Sequence, residues 1–164
     1  MDQLSTMNAI SLASEEGKTN VETIQYIVIR LGDEQFGIDI KYIDNIVRMQ
    51  SITRVPKVQD YLLGVINLRG EVIPVMSLRR KMSLADDEFT KATRIIILKL
   101  ENQGNVGVIV DEVKEVVTLA VDEIDKVQHK NGEAVNFVSG VGKHENELIS
   151  ILDLGTLASE DGAQ

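Results

Sequence analysis

Chemistry needs reactive side chains at workable spacing, and this sequence offers few. Its two histidines, His129 and His144, both stand in polar, loop-like stretches of the C-terminal half. Nucleophilic catalysis asks for a Ser or Cys beside a positioned His, and two histidines without cysteine or a spaced carboxylate make a poor metal site; both read as surface residues. The acidic runs "DDE" at 86–88 and "DEID" at 122–125 lack the alternating ligands and central glycine of a calcium loop and are expected to be solvated. Gly32, Gly37, Gly64 and Gly70 never assemble into a phosphate-binding or dinucleotide pattern. No enzyme, cofactor or metal site is expected.

What remains is recognition chemistry. The stretch "GVINLRGEVIPV", 64–75, sets Asn67, Arg69 and Gly70 between two apolar runs. A guanidinium fork suits carboxylates, and an interfacial Arg is a frequent binding hot spot. The same residues also suit a plain turn, with Asn67 and Gly70 as turn formers and Arg69 as an exposed charge. Residues 41–81 carry eight Lys or Arg (Lys41, Arg48, Arg54, Lys57, Arg69, Arg79, Arg80, Lys81) against three acids (Asp44, Asp60, Glu71), a basic lobe on a chain of net charge −9. Two classes follow: a module that reads other proteins, or a small β-barrel that binds nucleic acid through this lobe. The overall negative charge, the absence of Trp and the 4% aromatic content favour the first.

The elements that must hold this stretch are strands. Short apolar runs broken by turn residues predict an all-β chain: "YIVIRL" (26–31) with "FGIDI" (36–40), and "RIIILKL" (94–100) with "VGVIV" (106–110), read as two hairpins of one kind. The sequence repeats itself. At an offset of 70, Gly37, Ile38, Ile40, Ile43, Ile46 and Val47 meet Gly107, Val108, Val110, Val113, Val116 and Val117; at an offset of 76, "YLLGVINLRGEVIPVMSL" (61–78) lies over "FVSGVGKHENELISILDL" (137–154), with Gly64 on Gly140. Where the first copy has "INLRG" the second has "GKHEN", so Asn67, Leu68, Arg69 and Gly70 are not demanded by the repeated fold and become candidates for function.

Each copy is near the size at which one core is marginal, so the two are expected to pack together as one domain over 23–158. The halves fall at about 24–82 and 93–154, joined by "SLADDEFTKAT" at 83–93, with a short helix expected near 120–127. Residues 1–22 and 159–164 are polar and aperiodic and are expected to be disordered tails. No run approaches the roughly 20 apolar residues of a membrane span, and no secretory signal opens the chain, which predicts a cytoplasmic protein without direct membrane insertion.

At "YLLGVINLRGEVIPVMSLRRKM", preceded by "ITRVP" and flanked by "FGIDIKYIDNIVRM" and "VGVIVDEVKEVVTL", the sequence resembles the CheW family of chemotaxis coupling proteins over residues 24–158. The resemblance implies two intertwined SH3-like five-stranded β-barrels with short helical segments. It also implies a non-enzymatic adaptor that joins the cytoplasmic tips of methyl-accepting chemotaxis receptors to the regulatory domain of the histidine kinase CheA, in arrays below the membrane. Carried over by position, receptor coupling would fall to Arg69, with Asn67 and Gly70 shaping its turn, Gly64 and Gly107 in the receptor-facing region, and Val108 and Ile66 lining an apolar groove. Kinase contact would use the edge formed by Ile43, Asp44, Asn45, Ile46 and Val47. Departures from the family pattern stand at Asn45, where an acid is frequent, at Ser77, where Asp often precedes "LR", and at Val58 and Gln59, where a second proline is often seen. The family domain also occurs inside CheA and, fused to a receiver domain, in CheV; 164 residues fit a stand-alone adaptor.

Overall fold

β-Branched and leucine-rich runs alternate in and out along nearly every apolar segment, and in the computed structural model each becomes a strand. The structure describes residues 21–101, 103–127 and 137–158. In chain order the strands are β1 (Thr23–Leu31), β2 (Glu34–Asp39), β3 (Ile43–Arg48), β4 (Leu62–Leu68), β5 (Glu71–Ser77), β6 (Arg94–Leu100), β7 (Gly104–Val110), β8 (Glu112–Ala120), β9 (Asp125–Lys126), β10 (Val138–His144) and β11 (Glu147–Leu152). Two short helices, α1 (Leu78–Lys81) and α2 (Leu154–Ala158), follow β5 and β11 at the same offset of 76, and 3₁₀ turns span Ile40–Tyr42 and Val121–Glu123. The helix expected at 120–127 is only the second of these turns. The expected tails, apart from Val21 and Glu22, lie outside the described residues, as does His129.

Strand pairing divides the chain differently from the expected halves at 24–82 and 93–154. A six-stranded sheet runs β8-β1-β2-β11-β10-β9 and a five-stranded sheet runs β3-β6-β7-β5-β4. The leading hairpin of each copy has crossed into the sheet of the other: β1–β2 sits between β8 and β11, and β6–β7 between β3 and β5. Five strands of the larger sheet repeat the smaller one: replacing β8-β1-β2-β11-β10 by their repeat counterparts gives β3-β6-β7-β5-β4, with β2 parallel to β11 as β7 is to β5, while the place of β9 is taken by the isolated Thr53–Val65 bridge. Even the bulges recur, at Ile43/Asn45 against β6 and, on the partner side of the Val28/Ile29 irregularity, between Val113 and Glu115. A repeat reveals which strands are equivalent, but identical apolar faces leave open which copy each strand joins.

Burial follows the exchange. β6 is buried on both faces: Ile95 and Ile97 join Ile66, Ile73, Val75 and Ile109 in a cluster wrapped by the five-stranded sheet alone. Ile96 and Leu98 point the other way, into a larger cluster shared with Ile29, Leu31, Phe36, Ile38, Val108 and Val110. Tyr26, Val28, Val117, Leu119, Ile149 and Ile151 fill the six-stranded sheet's own interior. The exchanged hairpins thus lie back to back across the shared core, and neither half of the repeat has a complete interior without the other.

Candidate functional site

The "NLRG" stretch closes the β4–β5 hairpin. Leu68 pairs with Glu71, leaving Arg69 and Gly70 as a two-residue loop in which both have positive φ, 55° and 83°. This is the requirement of a hairpin turn whose twist matches its strands. The Asn67 side-chain oxygen accepts from the Gly70 amide at 3.1 Å, which locks the turn. The β10–β11 hairpin makes the same loop with Glu145 and Asn146, at φ 50° and 68°. The backbone of the tip is therefore a property of the fold in both copies, Gly70 and Asn67 serve it locally, and only the Arg69 side chain is left without a structural task. It is exposed, and among the described residues it makes no hydrogen bond or ion pair. Val72, beside it on β5, is 63% exposed.

Four of the other expected receptor residues have structural duties. Gly64 is buried at φ 148°, and a Cβ there would lie 2.1 Å from the Thr53 carbonyl oxygen, where residue 53 bridges to Val65 through two 2.8 Å hydrogen bonds. Gly107 faces the interior of the five-stranded sheet, with room for no more than hydrogen beside Ile95. Ile66 and Val108 are 2% and 1% exposed, in two different clusters, so neither lines a surface groove. Ile66 points inward with the alternation of β4, and Val108 lies in a stretch of β7 that is buried on both faces.

The expected kinase edge is an edge. β3 pairs only with β6, leaving its other side free. Asp44 is exposed at the bulge, Ile43 and Ile46 pack on the shared core, Val47 packs on the five-stranded sheet's cluster, and the Asn45 side chain is turned back to accept from the Ile46 amide at 2.9 Å.

Pairing thins the basic lobe. Arg79 is held by Asp111, Arg80 by Asp60 and Asp86, and Lys81 is buried against the Tyr61 ring at 3.9 Å. Lys41, 3.9 Å from Asp39, and Arg48, Arg54, Lys57 and Arg69 remain exposed, a sparse array for a polyanion.

Two features were not anticipated from the sequence. The acidic run at 86–88 is not simply solvated: Asp86 meets Arg80, and Asp87 is half-buried and accepts from the Ser77 hydroxyl. Ser77 in turn caps α1, its oxygen accepting from the Arg80 amide at 3.2 Å. The acid missing at position 77 is thus supplied from the connector, ten residues away in sequence. Burial, with the Asp111 charge adding, holds the Asp87 carboxyl above its ordinary range against the Ser77 hydrogen bond and Arg79. The second feature is Asp111, which accepts from Arg79 Nε at 2.9 Å, from Arg79 Nη2, and from the Gly32 amide at 2.8 Å. Burial raises its carboxyl, but the Arg79 hydrogen bond, the Gly32 amide and the Arg79 and Arg30 charges outweigh that and hold it below the usual range.

His144 stands on β10 with the Glu145 carboxylate 3.9 Å from its Nε2, and among the described residues no cluster of three or more metal-ligating side chains occurs. No described helix is long and apolar enough to cross a membrane.

Known proteins agree with a recognition scaffold. The sequence model of the CheW-like domain matches residues 25–162. The chemotaxis protein CheW of Helicobacter pylori is 34% identical over 149 residues, covering 91% of this chain and 90% of its own length. That of Bacillus subtilis is 34% identical over 139 residues, covering 84% and 88%. The crystal structure of the scaffolding protein TtCheW from Thermoanaerobacter tengcongensis superposes with a TM-score of 0.77 at 31% identity, over 86% of this chain and 96% of that one. These proteins are named for chemotaxis and scaffolding, none for catalysis. A doubled β-sheet fold, matched along nearly its whole length by such relatives, places this chain in the CheW family of chemotaxis scaffold proteins.

Proposed function

We propose that this protein couples methyl-accepting chemotaxis receptors to the histidine kinase CheA, with the β4–β5 tip reading the receptor and the free edge of β3 meeting the kinase regulatory domain, and that it is recruited in this way to arrays at the cytoplasmic face of the membrane. The observation that carries this reading is the Arg69 side chain: the fold specifies its backbone twice and uses its guanidinium nowhere. A rigid two-residue turn fixes the backbone from which the guanidinium projects, so the ordering cost on binding is confined to the side chain itself. The β3 edge offers unpaired backbone beside partly buried Ile43, Ile46 and Val47, the kind of surface to which a second β-rich domain can add.

The test is a pull-down of the purified protein with a receptor cytoplasmic fragment and with the kinase regulatory domain, wild type and Arg69→Ala in parallel. Wild type is expected to hold both. The variant is expected to keep the kinase and to lose about 2 kcal/mol of receptor binding, roughly 30-fold in Kd. Unchanged receptor binding by the variant would remove Arg69 from the interface, and failure of wild type to bind either partner would overturn the adaptor reading.

A further inference from the structure

The chain passes from one sheet to the other at two equivalent places, and they are built differently. From β2 to β3 it crosses through the 3₁₀ turn Ile40–Tyr42, where, among the described residues, the side-chain hydrogen bond and ion pair are local: Asp39 accepts from the Lys41 amide at 3.0 Å and stands 3.9 Å from the Lys41 ammonium. From β7 to β8 it crosses at Asp111, the repeat counterpart of Lys41, and here the contacts are long-range. Asp111 takes both arms of Arg79 from α1 and the Gly32 amide from the β1–β2 turn. Arg30 on β1 stands 3.7 Å away, donates to Glu112 at 3.0 Å and closes on the Gly32 carbonyl at 2.9 Å. Arg79 also reaches the Ala85 carbonyl of the connector at 3.1 Å. The counterpart of Arg79 in the second copy is Gly155, so that copy has no such group.

The first crossing is an internal control: the fold makes the same passage without a clasp. The clasp is also the better-protected ion pair, with the Arg79 and Asp111 side chains 15% and 12% exposed, in contrast to the Arg80 partners Asp60 and Asp86 at 85% and 72%. Its bidentate geometry fixes direction as well as distance. Its position is mechanical. β5 runs from the Arg69 tip to α1, so Arg79 lies at the far end of the strand that carries the tip, and it is linked there, through Asp111, to the Gly32 amide in the turn of the hairpin that the other sheet has received.

We propose that Asp111 is a positioning residue whose clasp on Arg79 and the Gly32 amide holds the two sheets as one rigid body. The β4–β5 tip and the β3 edge belong to one sheet, so the clasp fixes the other sheet against both.

The sequence contains no cysteine, so two introduced thiols, Lys99→Cys on β6 and Lys143→Cys on β10, both at exposed positions, accept spin labels without competition. One narrow inter-sheet distance distribution is expected for the otherwise wild-type full chain. At least a twofold broader one is expected with Asp111→Asn, and an intermediate width with Arg79→Lys, which keeps the charge but not the fork. If Asp111→Asn does not fold, Arg79→Lys alone carries the comparison. Equal widths in wild type and the folded variants overturn the rigid-body assignment.

Discussion

The two hairpin tips of this molecule, β4–β5 and β10–β11, share a backbone and differ in what they present. Both close on two residues with positive φ, both spring from a bulged strand that begins beside a buried glycine, and both carry an exposed apolar neighbour, Val72 at 63% and its counterpart Leu148 at 66%. One presents Arg69 and the other Glu145. Duplication thus separates what the fold requires from what one copy has added: a feature found at both tips belongs to the scaffold, and a feature at one tip needs another explanation. The same subtraction isolates the Asp111 clasp at one of two equivalent crossings.

The comparison can be broken first at its base. Gly64 and Gly140 occupy equivalent places, yet only Gly64 has a positive φ, and its missing Cβ would collide with backbone, whereas at Gly140 the first obstacle is the Ile124 side chain at 2.8 Å. Gly64→Ala is therefore expected to cost more than about 3 kcal/mol and Gly140→Ala about 1–2 kcal/mol, read as shifts in urea midpoint. Equal costs would mean that the two glycines do the same work and that the first hairpin has no tighter base than the second.

A smaller effect is expected at the turns. Asn67 caps the first tip, and its counterpart Lys143 has no acceptor with which to do so. Asn67→Ala is expected to lower stability by about 0.5–1 kcal/mol, and Lys143→Ala to leave the melting temperature in place.

Smaller still is the pH dependence of the connector, which Asp87 ties to the first helix through Ser77. Asp87 has a raised carboxyl in the folded state, so its favourable contribution is present in the protonated form and is lost as pH rises through that raised value. Asp111 has the opposite sign: its contribution is present above the ordinary carboxylate value of about 4 and is lost as pH falls through its lowered one. Relative to Asp87→Asn, wild type is expected to gain stability as pH falls from 7 toward about 5, measured by denaturant melts at several pH values. A difference that stays flat would place Asp87 in water.

Much of this was legible in the sequence. The strands, the duplication and the hairpin around Arg69 follow from alternation and self-similarity, because period and turn chemistry are local. The exchange of hairpins was not legible: β1 and β6 are apolar on both faces and either sheet would have accepted either. Family position puts Ile66 and Val108 in a groove but says nothing of which way a side chain points; the alternation of β4 turns Ile66 inward, and β7 is buried on both faces at Val108. Asp87 and Ser77 were read apart because a capping partner can arrive from a connector with no period of its own. The clasp joins residues 32 apart in sequence, but it left a trace: aligned on the repeat, Asp111 meets Lys41 and Arg79 meets Gly155, the same break in correspondence that marks Arg69.

The most direct measurement exchanges the two tips: titration of a receptor cytoplasmic fragment against wild type, Arg69→Glu and Glu145→Arg, each with its melting curve. Because Glu145 already occupies the same backbone conformation, Arg69→Glu is expected to melt within about 0.5 kcal/mol of wild type and to lose receptor binding by roughly 30-fold or more. Glu145→Arg is expected to change neither. Full receptor binding by Arg69→Glu, or loss of binding by Glu145→Arg with the fold intact, would contradict the assignment of the recognition role to the first tip.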